Sequence, residues 1–121
     1  MRSRLRKLHV DGRTFTWKAD IRDAFEADGR HRCIRVRVWG AGKNGRALQA
    51  DLTEWPHPPT PWDERYAYPT AENVRELARY ALSVGWTPEA VGSTFRITSG
   101  AKVALPGLAV TDLLSTAERP H

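Results

Sequence analysis

Apolar and polar residues alternate strictly through LHVDGRTFTW, residues 8–17, and again through CIRVRVW, residues 33–39. A period of two predicts strands with one face for a core and one for water. Asp11-Gly12 suits a two-residue type I′ turn, because both central positions need positive φ. The turn places Val10 opposite Arg13 and Leu8 opposite Phe15. Leu8, Val10, Phe15 and Trp17 then share one face, and Lys7, His9, Thr14, Thr16 and Lys18 the other. In the second stretch Ile34, Val36 and Val38 oppose Arg35, Arg37 and Trp39. GAGKNG, residues 40–45, follows as a turn in which Asn44-Gly45 supplies positive φ values. RALQADL, residues 46–52, reads as the return strand with Leu48, Ala50 and Leu52 inward, although Leu48, Leu52 and Trp55 also fit helical spacing. DIRDAFEADG, residues 20–29, reads either as a short helix capped by Asp20 and ended by Gly29, with Ile21, Ala24 and Phe25 inward, or as a loop.

The period changes to 3.6 after Pro69. Thr70 is placed to cap a helix, Glu72 favours its positive end, and Val74, Leu77, Ala78, Ala81 and Leu82 form one apolar stripe. Gly85 is placed to end it. Short strands are expected around Phe95 and Ile97 and from Leu108 to Val110. The expected fold is α+β: an antiparallel sheet of four to six strands with one main helix packed on one face. Residues 1–121 are expected to form one domain, with a basic arm at 1–6, a connecting loop at 53–69 and a frayed tail at 115–121.

Composition adds constraints. The chain has 121 residues and a formal charge of +5. No apolar run reaches the roughly 20 residues of a spanning helix, so no membrane is expected as a partner. The basic N-terminus has no hydrophobic stretch behind it, and the lone Cys33 has no partner for an internal disulfide. Both fit a cytoplasmic protein. Basic charge favours a polyanionic partner. Arginine also outnumbers lysine by fifteen to four, and a GC-rich coding bias on a solvated surface accounts for much of that.

Recognisable catalysis is missing from the sequence. His31 and Cys33 lie on one side of a strand, but His9, His57 and His121 are remote and no metal-ligand spacing supports them. GAGKNG lacks the leading glycine and the trailing Ser or Thr of a phosphate loop. Cys33 reads as a packing residue, and Asp63-Glu64 as loop neighbours. Neither an enzyme nor a cofactor nor a metal is expected.

Two binding readings follow. The stretch WPHPPTPW, residues 55–62, holds four prolines between two tryptophans. Prolines stiffen it, so it serves either as a connector pinned by its tryptophans or as a rigid platform presenting Trp55, Trp62, Tyr66 and Tyr68 to a protein partner. That non-enzymatic protein-binding module is the leading expectation. The second reading is nucleic acid held on the polar sheet face by Lys7, Lys18, Arg35, Arg37 and Trp39, extended by the N-terminal arm; cations would neutralise phosphates and the ring would stack on bases. Against it stands an ordinary solvated face on which Arg35 or Arg37 pairs across strands with Asp51. Oligomeric state is not indicated.

At RCIRVRVWGAGKNGRALQADL, at YPTAENVRELARYALSVGWTPEAVGSTFRIT and at LPGLAVTDLL, the chain resembles small actinobacterial proteins of uncharacterised function. The likeness spans most of residues 31–114 and implies a single-domain bacterial cytoplasmic protein. It carries over no activity, cofactor or site residue.

Overall fold

The Asp-Gly turn sets the first register. Strands β1 (Arg6–Val10) and β2 (Arg13–Glu26) pair antiparallel with Val10 opposite Arg13 and Leu8 opposite Phe15. Asp11 and Gly12 take φ of 49° and 81°, the two positive dihedrals that a type I′ turn requires. This computed structural model describes residues 5–26, 29–40, 45–54, 69–103, 105, 108–112 and 114, with backbone alone at 23–26, 29–32 and 54.

Of the stretch 20–29, the described residues form neither a helix nor a loop. β2 runs on to Glu26 and pairs with β3 (Gly29–Gly40) as far as Glu26 opposite Gly29. A helix of this length is marginal in water. Continuing an existing ladder instead satisfies each successive backbone group. β1 pairs with β2 only to Trp17, and β4 (Leu48–Glu54) pairs with β3 only to Cys33. Beyond those points β2 and β3 continue as a two-stranded ribbon among the described residues. Ile21, expected inward, is 53% exposed there.

RALQADL adopts the strand option: β4 pairs with β3 and buries Leu48, Ala50 and Leu52. The connection expected at 53–69 begins later, because Thr53 and Glu54 still belong to β4.

Helix α1 (Ala71–Ser83) starts at the expected Thr70. The Asn73 backbone N–H donates to Thr70 Oγ1 at 3.3 Å, and the Thr70 N–H donates to Asn73 Oδ1 at 2.9 Å. This reciprocal capping satisfies two otherwise orphaned donors. Gly85, at φ 115° just past the C-cap Val84, turns the chain out of the helix. Val74, Leu77, Ala78 and Ala81 are buried against the apolar sheet face, with Leu82 partly buried at the margin. Trp86 closes the layer: its ring lies 5.7 Å from that of Phe15, and its Nε1 donates to the Arg46 carbonyl at 2.8 Å.

The helix carries the chain back to the end where β4 began. β5 (Phe95–Ile97) therefore runs parallel to β4, the expected consequence of a helical crossover. β6 (Leu108–Val110) then returns antiparallel along the other half of the same β4 edge. The sheet order is β1-β2-β3-β4-β5, with β6 also on β4. The architecture is the expected α+β layer, mostly antiparallel, with this one parallel pair added.

The outer edge of β1 is guarded. Arg75 on the helix donates from Nε to the His9 carbonyl at 3.0 Å. With Val10 and Arg13 forming the hydrogen-bonded pair beside the turn, that carbonyl points away from β2. Capping it and keeping the strand short both discourage edge-to-edge pairing. Among the described residues, no helix is long and apolar enough to cross a membrane.

Candidate functional site

The helix covers one face of the sheet. On the other face, strand alternation and register arrange side chains into rows that cross the strands. One row runs Lys7, Thr16, Trp39 over β1, β2 and β3. The next runs Lys18, Arg37, Gln49, Arg96 over β2, β3, β4 and β5. The third runs Asp20, Arg35, Asp51 over β2, β3 and β4. His9 and Thr14 sit together above the first row, with Thr14 Oγ1 and His9 Nδ1 at 3.2 Å.

The third row is closed off. Arg35 donates from Nε to Asp51 Oδ1 at 2.9 Å and from Nη2 to Oδ2 at 3.2 Å, a two-pronged pair. Its side chains are only 5% and 4% exposed. Burial on a face expected to meet water is explained by the chain after β6. Thr111 donates its N–H to the Asp51 carbonyl at 2.8 Å at the β4 edge. Three residues later Leu114 is buried against Cys33, which lies on this polar-side face of β3. Reaching from beside β4 to above β3 spans two inter-strand steps, about 10 Å. The strap therefore crosses β4 near Asp51. Ser99 anchors its start, with its N–H on Asp112 Oδ1 at 3.1 Å and its hydroxyl on Oδ2 at 2.7 Å.

The first two rows are more open. Lys7, His9 and Arg96 are exposed; Thr14, Thr16, Lys18, Arg37 and Trp39 are half-buried. Lys18 lies 3.6 Å from Asp20 on its own strand. Arg37 is oriented by Gln49, whose Oε1 accepts from Nε at 3.0 Å. That bond leaves the terminal guanidinium nitrogens as donors. The result is three cations in a line, the first shared with Asp20, beside an aromatic ring and a fourth cation. Such a surface neutralises spaced negative charges and offers a flat apolar contact next to them.

Lys7, Lys18, Arg37 and Trp39 are thus brought together as the sequence suggested. Arg35 is not with them: it is committed to Asp51, the cross-strand pairing expected of an ordinary face. Arg6 belongs to the other face, its guanidinium 5.7 Å from the centre of the Trp17 ring, so it does not extend the basic rows. Arg2 and Arg4 of the arm, the turn residues 41–44, and Trp55, Trp62, Tyr66 and Tyr68 lie outside the described residues. Arg96 is the member that sequence reasoning missed. Its alternation with Phe95 and Ile97 was readable, but its row depends on the parallel docking of β5. Among the described residues, no group of three His, Cys, Asp or Glu side chains is placed to hold a metal ion.

No protein-family model, no curated protein and no solved structure matches the chain.

Proposed function

We propose that this protein binds nucleic acid in single-stranded form on the open half of its sheet. The supporting observation is the register that aligns Lys18, Arg37 and Arg96 in one row beside the Lys7–Thr16–Trp39 row. Cations in a line suit a phosphate backbone, and a neighbouring ring suits an unpaired base, whose face a duplex hides. The half of the face nearer the ribbon does not contribute, because Arg35 and Asp51 neutralise each other under the strap.

The competing proposal is a protein partner held by Trp55, Trp62, Tyr66 and Tyr68. The sequence motivates it, but it draws on no geometry among the described residues. One experiment separates the two. Fluorescence anisotropy with labelled single- and double-stranded oligonucleotides is run across a salt series. Binding of the single strand near physiological salt, weakened by Arg37→Ala with Arg96→Ala, supports the nucleic-acid reading. No binding, or binding to every oligonucleotide that modest salt abolishes, overturns it and directs the search to protein partners of the Trp/Pro stretch.

A further inference from the structure

We infer that the bound strand crosses the β-strands along the Lys18–Arg37–Arg96 row instead of running along any one of them, giving a short site of about three phosphates. This rests on the nucleic-acid reading above and adds a direction, a length and a boundary to it.

The boundary comes first. A ligand following β2 or β3 away from the turn end meets the Asp20–Arg35–Asp51 row, where two carboxylates flank one cation and the strap covers the β4 side. That row repels phosphate or is sealed from it. Directly above, Lys18, Arg37 and Arg96 stand in line across four neighbouring strands, with neutral Gln49 between the last two. Three inter-strand steps make this line about 14 Å long. The Lys7–Thr16–Trp39 row lies two residues along the strands, about 7 Å away. Phosphates on the cation row therefore leave bases directed toward Trp39, with Lys7 beyond β2 at the end of the ring's row. The two rows match the two edges of a single strand: charge on one side, stacking surface on the other.

The alternative direction has its own marker residue. Arg22 is exposed and lies on the same strand and the same face as Lys18, beyond Asp20. A strand running along β2 toward the ribbon would use Arg22 and ignore Arg96. A strand crossing the sheet would use Arg96 and ignore Arg22.

The test is a salt titration of labelled oligothymidylate binding to the full chain and to Lys18→Ala, Arg37→Ala, Arg96→Ala and Arg22→Ala. At about 0.7 per contact for single strands, the row predicts a slope of log K against log salt between about −1.4 and −2, the smaller value applying where Asp20 keeps hold of Lys18. Arg96→Ala lowers its magnitude by about 0.7, Lys18→Ala by less because Asp20 already lies against that ammonium, and Arg22→Ala leaves it unchanged. Trp39→Ala weakens binding roughly 5- to 150-fold, the loss of one stacked base. In competition with unlabelled oligomers of increasing length, affinity rises steeply to about three or four nucleotides and then flattens. Arg96 and Arg22 are exposed, so both variants are expected to fold, and thermal melts confirm this. A slope lost in Arg22→Ala but kept in Arg96→Ala overturns the crossing direction while leaving nucleic-acid binding intact. Equal binding of duplex and single strand overturns the stacked-base geometry. No binding by the unmodified chain overturns the underlying reading as well.

Discussion

Replacing Arg35 by alanine tests the closed half of the polar face. The guanidinium and the Asp51 carboxylate are each about 95% removed from solvent and share two hydrogen bonds. Taking away one member of such a pair leaves a buried charge without its counter-ion, at a cost of about 3–5 kcal/mol. Arg35→Ala belongs at the upper end, because the register then leaves Asp20 and Asp51 flanking the vacated position with like charge. Asp51→Ala belongs at the lower end, since Asp20 remains across the ladder from Arg35. A domain of this size has a total stability of about 5–15 kcal/mol. With a urea slope of about 2 kcal/mol per molar, a loss of 4 kcal/mol lowers the unfolding midpoint by about 2 M. The assay is equilibrium urea unfolding followed by tryptophan fluorescence. The double replacement Arg35→Met with Asp51→Leu removes both charges and keeps the volume, so it recovers most of the loss. Single substitutions costing under about 1 kcal/mol would place the pair with solvent-exposed ion pairs. The strap would then not exclude water, and the boundary drawn across the face would fail.

Two further outcomes follow from the loop that seats β4. At Gly45 (φ 91°) an added Cβ would collide with the Pro88 carbonyl oxygen. Gly45→Ala is therefore expected to cost at least about 2 kcal/mol, whereas Gly100→Ala, with open space around it, stays within about 1 kcal/mol of the unmodified chain. Thermal melts compare them, and equal melting temperatures would refute the close approach. The second outcome contrasts two buried tryptophans. Trp86 Nε1 donates to the Arg46 carbonyl, while Trp17 Nε1 is buried with no hydrogen-bond partner among the described residues. Both lose comparable volume on conversion to phenylalanine, but only Trp86→Phe removes a hydrogen bond. Only Trp17→Phe removes an unsatisfied donor. Trp86→Phe should be the more destabilising by about 1–2 kcal/mol in urea unfolding, and the reverse order would contradict this account.

Most of the layer was legible because its signals are local. Asp11-Gly12 fixed one register, alternation in residues 33–39 fixed a face, and Thr70 with the stripe from Val74 to Ala81 fixed the helix. The reading of 20–29 failed where local and long-range preferences compete. Ile21, Ala24 and Phe25 fit a helical stripe, but β3 provides a ladder, and the pairing Ile21 opposite Ile34 is invisible without knowing the partner strand. Trp86 carries no local signal, because its setting, between Phe15 and the Arg46 carbonyl, is assembled from segments about 40 and 70 residues away. The same reason hid Arg96. Strand β5 was readable, its neighbour was not, and a residue's row depends on the neighbour.

The polar face shows why candidate residues of one strand separate into different roles. Arg35 and Arg37 are two positions apart on β3 and point the same way, so alternation treats them alike. Their partners on β4 do not. Asp51 is a full counter-charge that accepts both prongs of Arg35, whereas Gln49 is neutral and accepts one bond from Arg37. The first pair cancels charge and tolerates being covered, and the strap lies where that is so. The second orients a cation without neutralising it, which keeps the face electropositive and costly to bury. Exchanging the two acceptors, Gln49→Asp with Asp51→Asn, should therefore move both properties together. Stability falls as Arg35 loses its counter-ion, and the salt slope of single-strand binding falls as Arg37 gains one. Loss of stability with an unchanged slope would mean that Arg37 meets no phosphate. The open rows would then be a solvated sheet face and nothing more.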